Sequence, residues 1–182
     1  MLNAAAAEFF TVGVGQASMA RIAQRAGIST KTLYKVAAGK DDLFQTVVEQ
    51  RISQVVAGFS RRAAGDLHDQ VAGLAIDYAR FVLSPEAIAT MRILLEEQAR
   101  FPALGARFVE STAQVAEAFD GALTEVLPPE AVPGGDLGFF ARLFRLTILG
   151  EQREQLVKRS PPMGETAIAA FASRVVAVLL PR

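Results

Sequence analysis

Between Phe9 and Lys40 the chain carries Arg21, Arg25, Lys31, Lys35 and Lys40 and no Asp or Glu. Over the whole sequence 19 Lys and Arg balance 19 Asp and Glu, so this stretch is a local positive field in a neutral chain. Cations suit phosphate, and the hydroxyls between them suit base edges. In Ser29-Thr30-Lys31-Thr32-Leu33-Tyr34-Lys35, Leu33 together with Ile28 supplies an apolar packing face. Thr30, Lys31, Thr32, Tyr34 and Lys35 then fall on the outer arc. Lysine favours guanine and a threonine methyl meets thymine, so Thr30, Lys31 and Thr32 are the base-reading candidates. Tyr34 and Lys35 suit phosphate, while Ser18, Ser29 and Lys40 lie at helix starts where free amides favour anions. The spacing therefore reads as a helix-turn-helix unit whose second helix addresses DNA.

The elements that must hold these residues are helical. β-Branched alternation is scarce and the breakers fall where helices would end. A first helix is expected over 2–12, with Ala5, Phe9 and Val12 on one face and Gly13 ending it. Ser18 is expected to cap the second, which turns Met19, Ile22, Ala23 and Ala26 inward and stops at Gly27. Ser29 caps the third, which buries Leu33 and Val36. After Gly39, Asp41 and Asp42 open a fourth helix with Leu43, Phe44, Val47, Val48, Ile52, Val55 and Val56 inward. Beyond the small, basic stretch 60–65, long helices are expected at about 66–83, 85–100, 136–158 and 166–180, with one or two more between 101 and 127. Nine helices give an all-α fold. Its parts are a three-helix helix-turn-helix DNA-binding head over 1–58, with the fourth helix as link, and a helical ligand-binding and dimerisation domain over 59–182.

Composition removes several classes of chemistry. With no Cys and a single His68, thiolate and histidine-cluster metal sites have no ligands, and no metal or other cofactor is expected. No Ser/His/Asp set or phosphate loop supports catalysis, and Glu96-Glu97 are helix neighbours that point in different directions. No run approaches a membrane span and the N-terminus lacks a basic start, so a cytoplasmic protein without membrane contact is expected.

The pattern Phe9…Gly13…Ser18-Met19…Ile22-Ala23…Ala26-Gly27-Ile28-Ser29…Thr32-Leu33-Tyr34…Lys40…Leu43 resembles the amino-terminal signature of the tetracycline-repressor (TetR) family of bacterial regulators. The resemblance implies a DNA-binding head, a ligand-sensing body and a homodimer on a near-palindromic double-stranded operator. Three positions depart from the family pattern: Val14 replaces an aromatic, Lys31 often a glycine, and Ala37 an aromatic. Ala37 is expected to leave a space that Phe44 or Phe10 fills, and Lys31 means that an operator sequence does not transfer from relatives.

Residues 91–104, followed by Phe108, resemble the regulatory domain of one TetR subgroup. Tyr78, Phe81, Met91, Leu95, Gln98 and Phe108 are the candidates for a site taking a small apolar or amphipathic effector; core packing is the competing role for each. The last two helices carry more apolar surface than one stripe needs, and Phe140, Phe144, Ile148, Phe171, Val175 and Val178 are the candidate dimer contacts. The reading is a transcriptional repressor released by its effector. Its alternatives are a ligand-independent architectural DNA binder and a helical enzyme or ligand carrier.

Overall fold

The computed structural model describes residues 1–59, 65–97 and 102–181, and among these it contains nine α-helices and no strand. They are α1 (Leu2–Gln16), α2 (Met19–Arg25), α3 (Thr30–Tyr34), α4 (Lys40–Phe59), α5 (Leu67–Leu83), α6 (Pro85–Glu97), α7 (Pro102–Val126), α8 (Leu137–Lys158) and α9 (Glu165–Leu179). The head–body boundary that the sequence places after 58 falls at the end of α4, and the small, basic segment 60–64 that follows lies outside the described residues. The chain falls into two compact units, Met1–Ser53 with Ala89–Ser111, and Gln54–Ile88 with Thr112–Arg182.

In the first unit, the side chains of Phe9, Ile22, Leu33, Leu43 and Phe44 are fully buried. Phe9 and Phe44 meet edge-to-face at 5.3 Å, the arrangement that the ring quadrupoles favour. Gly13, at φ 76° and ψ 162°, breaks α1 where the sequence ends the first helix, and a short helical turn follows to Gln16. Gly27 adopts φ +66° after α2, a conformation that a side chain would strain. The expected inward Val36 is exposed; Ala37 faces the core in its place, and Phe44 is buried against Phe9. With α3 only five residues long, the chain has already left the helical phase that would turn Val36 inward.

The second unit is built on α5, α8 and α9. Val71, Leu74, Ala75, Tyr78, Ala79, Val82 and Leu83 form the buried face of α5, and Ile168, Ala172, Val175 and Val176 that of α9. Asp66 caps α5 by accepting the Asp69 amide, Ser84 accepts from Ala87 at 3.2 Å at the start of α6, and Asp136 accepts from Phe139 at 2.8 Å to start α8. Around Phe119 the rings of Phe59, Tyr78 and Phe144 lie 4.7–6.0 Å away. Gln152 of α8 donates to the Val82 carbonyl at 2.5 Å, satisfying a group that the end of α5 leaves free. Arg80 of α5 pairs with Glu165 of α9.

Candidate nucleic-acid interface

Leu33 is the anchor of α3. Its full burial fixes the helix on α2, and the residues around it in sequence, Thr30, Lys31, Thr32, Tyr34 and Lys35, are all exposed. The side chain of Ser29 accepts from the Thr32 amide at 3.0 Å and shares a second hydrogen bond with the Thr32 hydroxyl at 2.8 Å. The cap therefore fixes one base-reading candidate, while Thr30 and Lys31 carry no such tie among the contacts described. Asp42 accepts the Ala38 amide at 2.9 Å, closing the turn between α3 and α4.

Two of the expected positioning residues are engaged differently from expectation. Ser18 stands at the start of α2 but its hydroxyl makes no cap hydrogen bond. Lys40 is half-buried, and its Nζ donates to the Gly15 carbonyl at 2.5 Å, tying the first residue of α4 to the kinked end of α1. An ammonium carries three donors, so two remain for a phosphate. Lys40→Met is expected to lower unfolding stability by about 1.5–3 kcal/mol, the contribution of a hydrogen bond to a charged group, and urea denaturation reads it directly.

Glu8 is the residue that the positive window misses, standing one position before it. It is 1% exposed, on the α1 stripe with Ala5 and Phe9. Its Oε1 accepts from Arg21 Nε at 2.5 Å and its Oε2 lies 3.6 Å from Arg25 Nη1. The Arg21 hydrogen bond, outweighing burial and helped by the Ser18 backbone and the Arg25 charge, holds this carboxyl below its usual range. Arg21 also donates through Nη2 to the Gln16 carbonyl at 2.8 Å. The signal was available in sequence: Glu8 stands three residues after Ala5 and one before Phe9, inside an otherwise apolar stripe.

The effector candidates do not belong to one unit. Tyr78 and Phe81 lie in the second; Met91, Leu95 and Phe108 lie in the first; Gln98 lies outside the described residues. Tyr78 is buried among Phe59 and Phe119, and burial pushes its phenol up to about 12 although the Arg145 guanidinium opposes the shift. Arg145 is held by two hydrogen bonds to Asp120, at 2.6 and 2.8 Å.

The dimer candidates fall in different surroundings. Phe140, Phe144, Ile148 and Val175 are buried in the core of their own unit, and Phe171 is half-buried; only Val178 is exposed. The outward face of α8 is made instead by Phe139 (64% exposed), Leu143, Leu146 (52%) and Val157. Positions 139, 143, 146, 150, 153 and 157 follow one helical stripe, and Gly150 and Arg153 complete it. On α9 the exposed positions near Val178 include the small Ala167, Ala170, Ser173 and Ala177 together with Arg174.

Residues 1–47 match the family described as bacterial regulatory proteins, tetR family, and residues 69–128 match the AefR-like transcriptional repressor C-terminal domain. No curated protein matches the chain. Among solved structures, a putative tetR-family transcriptional regulator from Mesorhizobium loti superposes with a TM-score of 0.77 at 23% identity, covering 98% of this chain and 92% of that one. The fatty acid degradation regulator FadR from Bacillus halodurans gives 0.74 at 17% identity, covering 98% and 92% of the two chains. FadR from Bacillus subtilis, in complex with stearoyl-CoA, gives 0.72 at 16%, covering 99% and 96%. Identities this low establish a common fold. No helix among the described residues is long and apolar enough to cross a membrane.

Proposed function

Since the chain belongs to the TetR family of DNA-binding transcription regulators, which are not enzymes, we propose that it is a homodimeric cytoplasmic repressor released from its operator by a small amphipathic effector. The observation that supports this most is α3 itself, where a fully buried Leu33 carries a row of exposed hydroxyl and ammonium side chains on a capped turn. Thr30, Lys31 and Thr32 read bases, and Ser18, Ser29, Tyr34, Lys35 and Lys40 position the helix on phosphates. The outward stripe of α8 with Val178 of α9 packs on its copy across a two-fold axis, presenting two recognition helices about 34–36 Å apart to a near-palindromic site.

The likeness to a FadR that holds stearoyl-CoA supports an effector with a long apolar chain. Tyr78 and Phe81, which share the second unit, remain the proposed contacts. The effector need only bind the released conformation better: ~3 kcal/mol of coupling changes operator affinity about 150-fold.

Selection of bound duplexes from a random pool, repeated with long-chain acyl compounds, tests both halves. A single enriched two-fold sequence, lost when the effector is added, is the expected result. Recovery of no preferred sequence would favour an architectural binder. Lys31→Ala is expected to relax the choice of base at one position in each half-site, worth about 1–3 kcal/mol, while binding to random duplex changes far less. Comparing the enriched sequences of the two proteins measures it; equal losses on both kinds of DNA would remove Lys31 from base reading.

A further inference from the structure

We propose that the buried carboxylate of Glu8 is a positioning and charge-balancing residue for DNA binding, one that partly offsets Arg21 and Arg25 as phosphate-binding cations. This rests on the DNA-binding reading above.

Glu8 is buried at its carboxylate, whereas the side chains of Arg21 and Arg25 are each about half exposed, 52% and 51%. The two guanidiniums reach back from α2 to one anion on α1, at 2.5 and 3.6 Å. Arg21 is fixed at a second point by the Gln16 carbonyl, at 2.8 Å, so its fork is committed at Nε and Nη2. A buried carboxylate loses its hydration, and an apolar or amide side chain would hold α1 against α2 without that cost. The charge itself is thus the property to be explained. In a helix-turn-helix the first helix of the pair crosses the DNA backbone, where free arginines bind any sequence through phosphate.

The balance is simple. Two guanidiniums and one carboxylate carry a net single positive charge on the face of α2, and an amide at position 8 would double it. Of the five cations in the window, Lys31 and Lys35 of α3 and its edge are then the two that no described ion pair or hydrogen bond holds. Sequence-independent attraction is kept low on α2 while α3 keeps its cations, which raises the share of binding that depends on sequence. Glu8 also sets the angle of α2, and through Leu33 that of α3, by anchoring both arginines to α1.

The test uses random-sequence duplex DNA and the whole protein, titrated over a range of salt. Glu8→Gln keeps the shape and a hydrogen-bond acceptor but removes the charge. The slope of log affinity against log salt is expected to steepen by about 0.9 for each phosphate gained, one or two in all. Between low and physiological salt that is roughly a threefold wider change in affinity per phosphate. A merely structural role would lower thermal stability and leave the slope of the folded protein unmoved. The exposed arginines give a second arm. Arg25→Gln is expected to reduce the slope by less in the natural background, where Glu8 already offsets part of its charge, than in the Glu8→Gln background. An unchanged slope in Glu8→Gln, or equal drops from Arg25→Gln in the two backgrounds, overturns the proposal. Absence of any salt-dependent binding by the natural protein would instead remove the DNA-binding reading on which it stands.

Discussion

Replacing Leu146 with glutamate is expected to leave a folded monomer at micromolar concentration and to abolish tight operator binding. Leu146 is half exposed on the outward stripe of α8, so the substitution leaves the core of its own unit untouched. In a two-fold interface each copy buries the new carboxylate, and an uncompensated buried charge costs about 3–5 kcal/mol. Two such charges, facing one another near the axis, weaken association by about 10⁴-fold or more at about 1.4 kcal/mol per decade. Operator affinity follows, because a single head retains only one half-site. Sedimentation equilibrium reads the assembly and circular dichroism reads the fold. A dimer that persists in Leu146→Glu would move the interface off α8.

The contrasting substitution, Ile148→Glu, shows what the sequence left open. α8 is apolar on two sides at once: Phe140, Phe144 and Ile148 recur at one phase, Phe139, Leu143 and Leu146 at another. Helical periodicity identifies both stripes and cannot say which one α5 and α9 cover. The structure resolves the phase, with Phe144 and Ile148 fully buried and Phe139 in the open. Glutamate at position 148 should therefore unfold the body, and at 146 dissociate it.

The head was more legible because its signals are local. The Ser29 cap and the left-handed Gly27 depend on a few neighbouring residues, and each stands where spacing places it. Besides the local misses at Ser18 and Val36, what escaped there depends on partners distant in sequence. Lys40 reaches back 25 residues to the Gly15 carbonyl, and Arg21 reaches 13 residues to Glu8. A census of like charges between Phe9 and Lys40 stops one residue short of the anion that offsets two of them. Val36 shows a local limit, since its outward place becomes visible only once α3 ends at Tyr34.

Phe119→Ala is expected to lower the stability of the body by about 3–5 kcal/mol, toward the upper end of the range for an aromatic truncated in a core. Phe119 is fully buried, and its ring lies 5.7 Å from Phe59, 4.7 Å from Tyr78 and 6.0 Å from Phe144. Three ring partners lose their contact together, so the cavity term is joined by roughly 0.5–1.5 kcal/mol for each aromatic pair. Against a typical total of about 5–15 kcal/mol the loss is large, and at roughly 2–4 °C per kcal/mol it should lower Tm by about 10 °C or more. Tyr78 supplies a second, independent readout. Its phenol is pushed up to about 12 by burial beside Phe119. The folded protein holds that proton more tightly than the unfolded chain does, so this share of stability is complete below pH ~10 and is lost as pH rises toward the folded value. Opening a cavity next to the ring admits water and lowers the folded value, which near-ultraviolet absorbance follows as tyrosinate forms. A variant that loses little stability and keeps the raised Tyr78 titration would show that α5, α7 and α8 close over the gap, and that Phe119 is not the centre of this core.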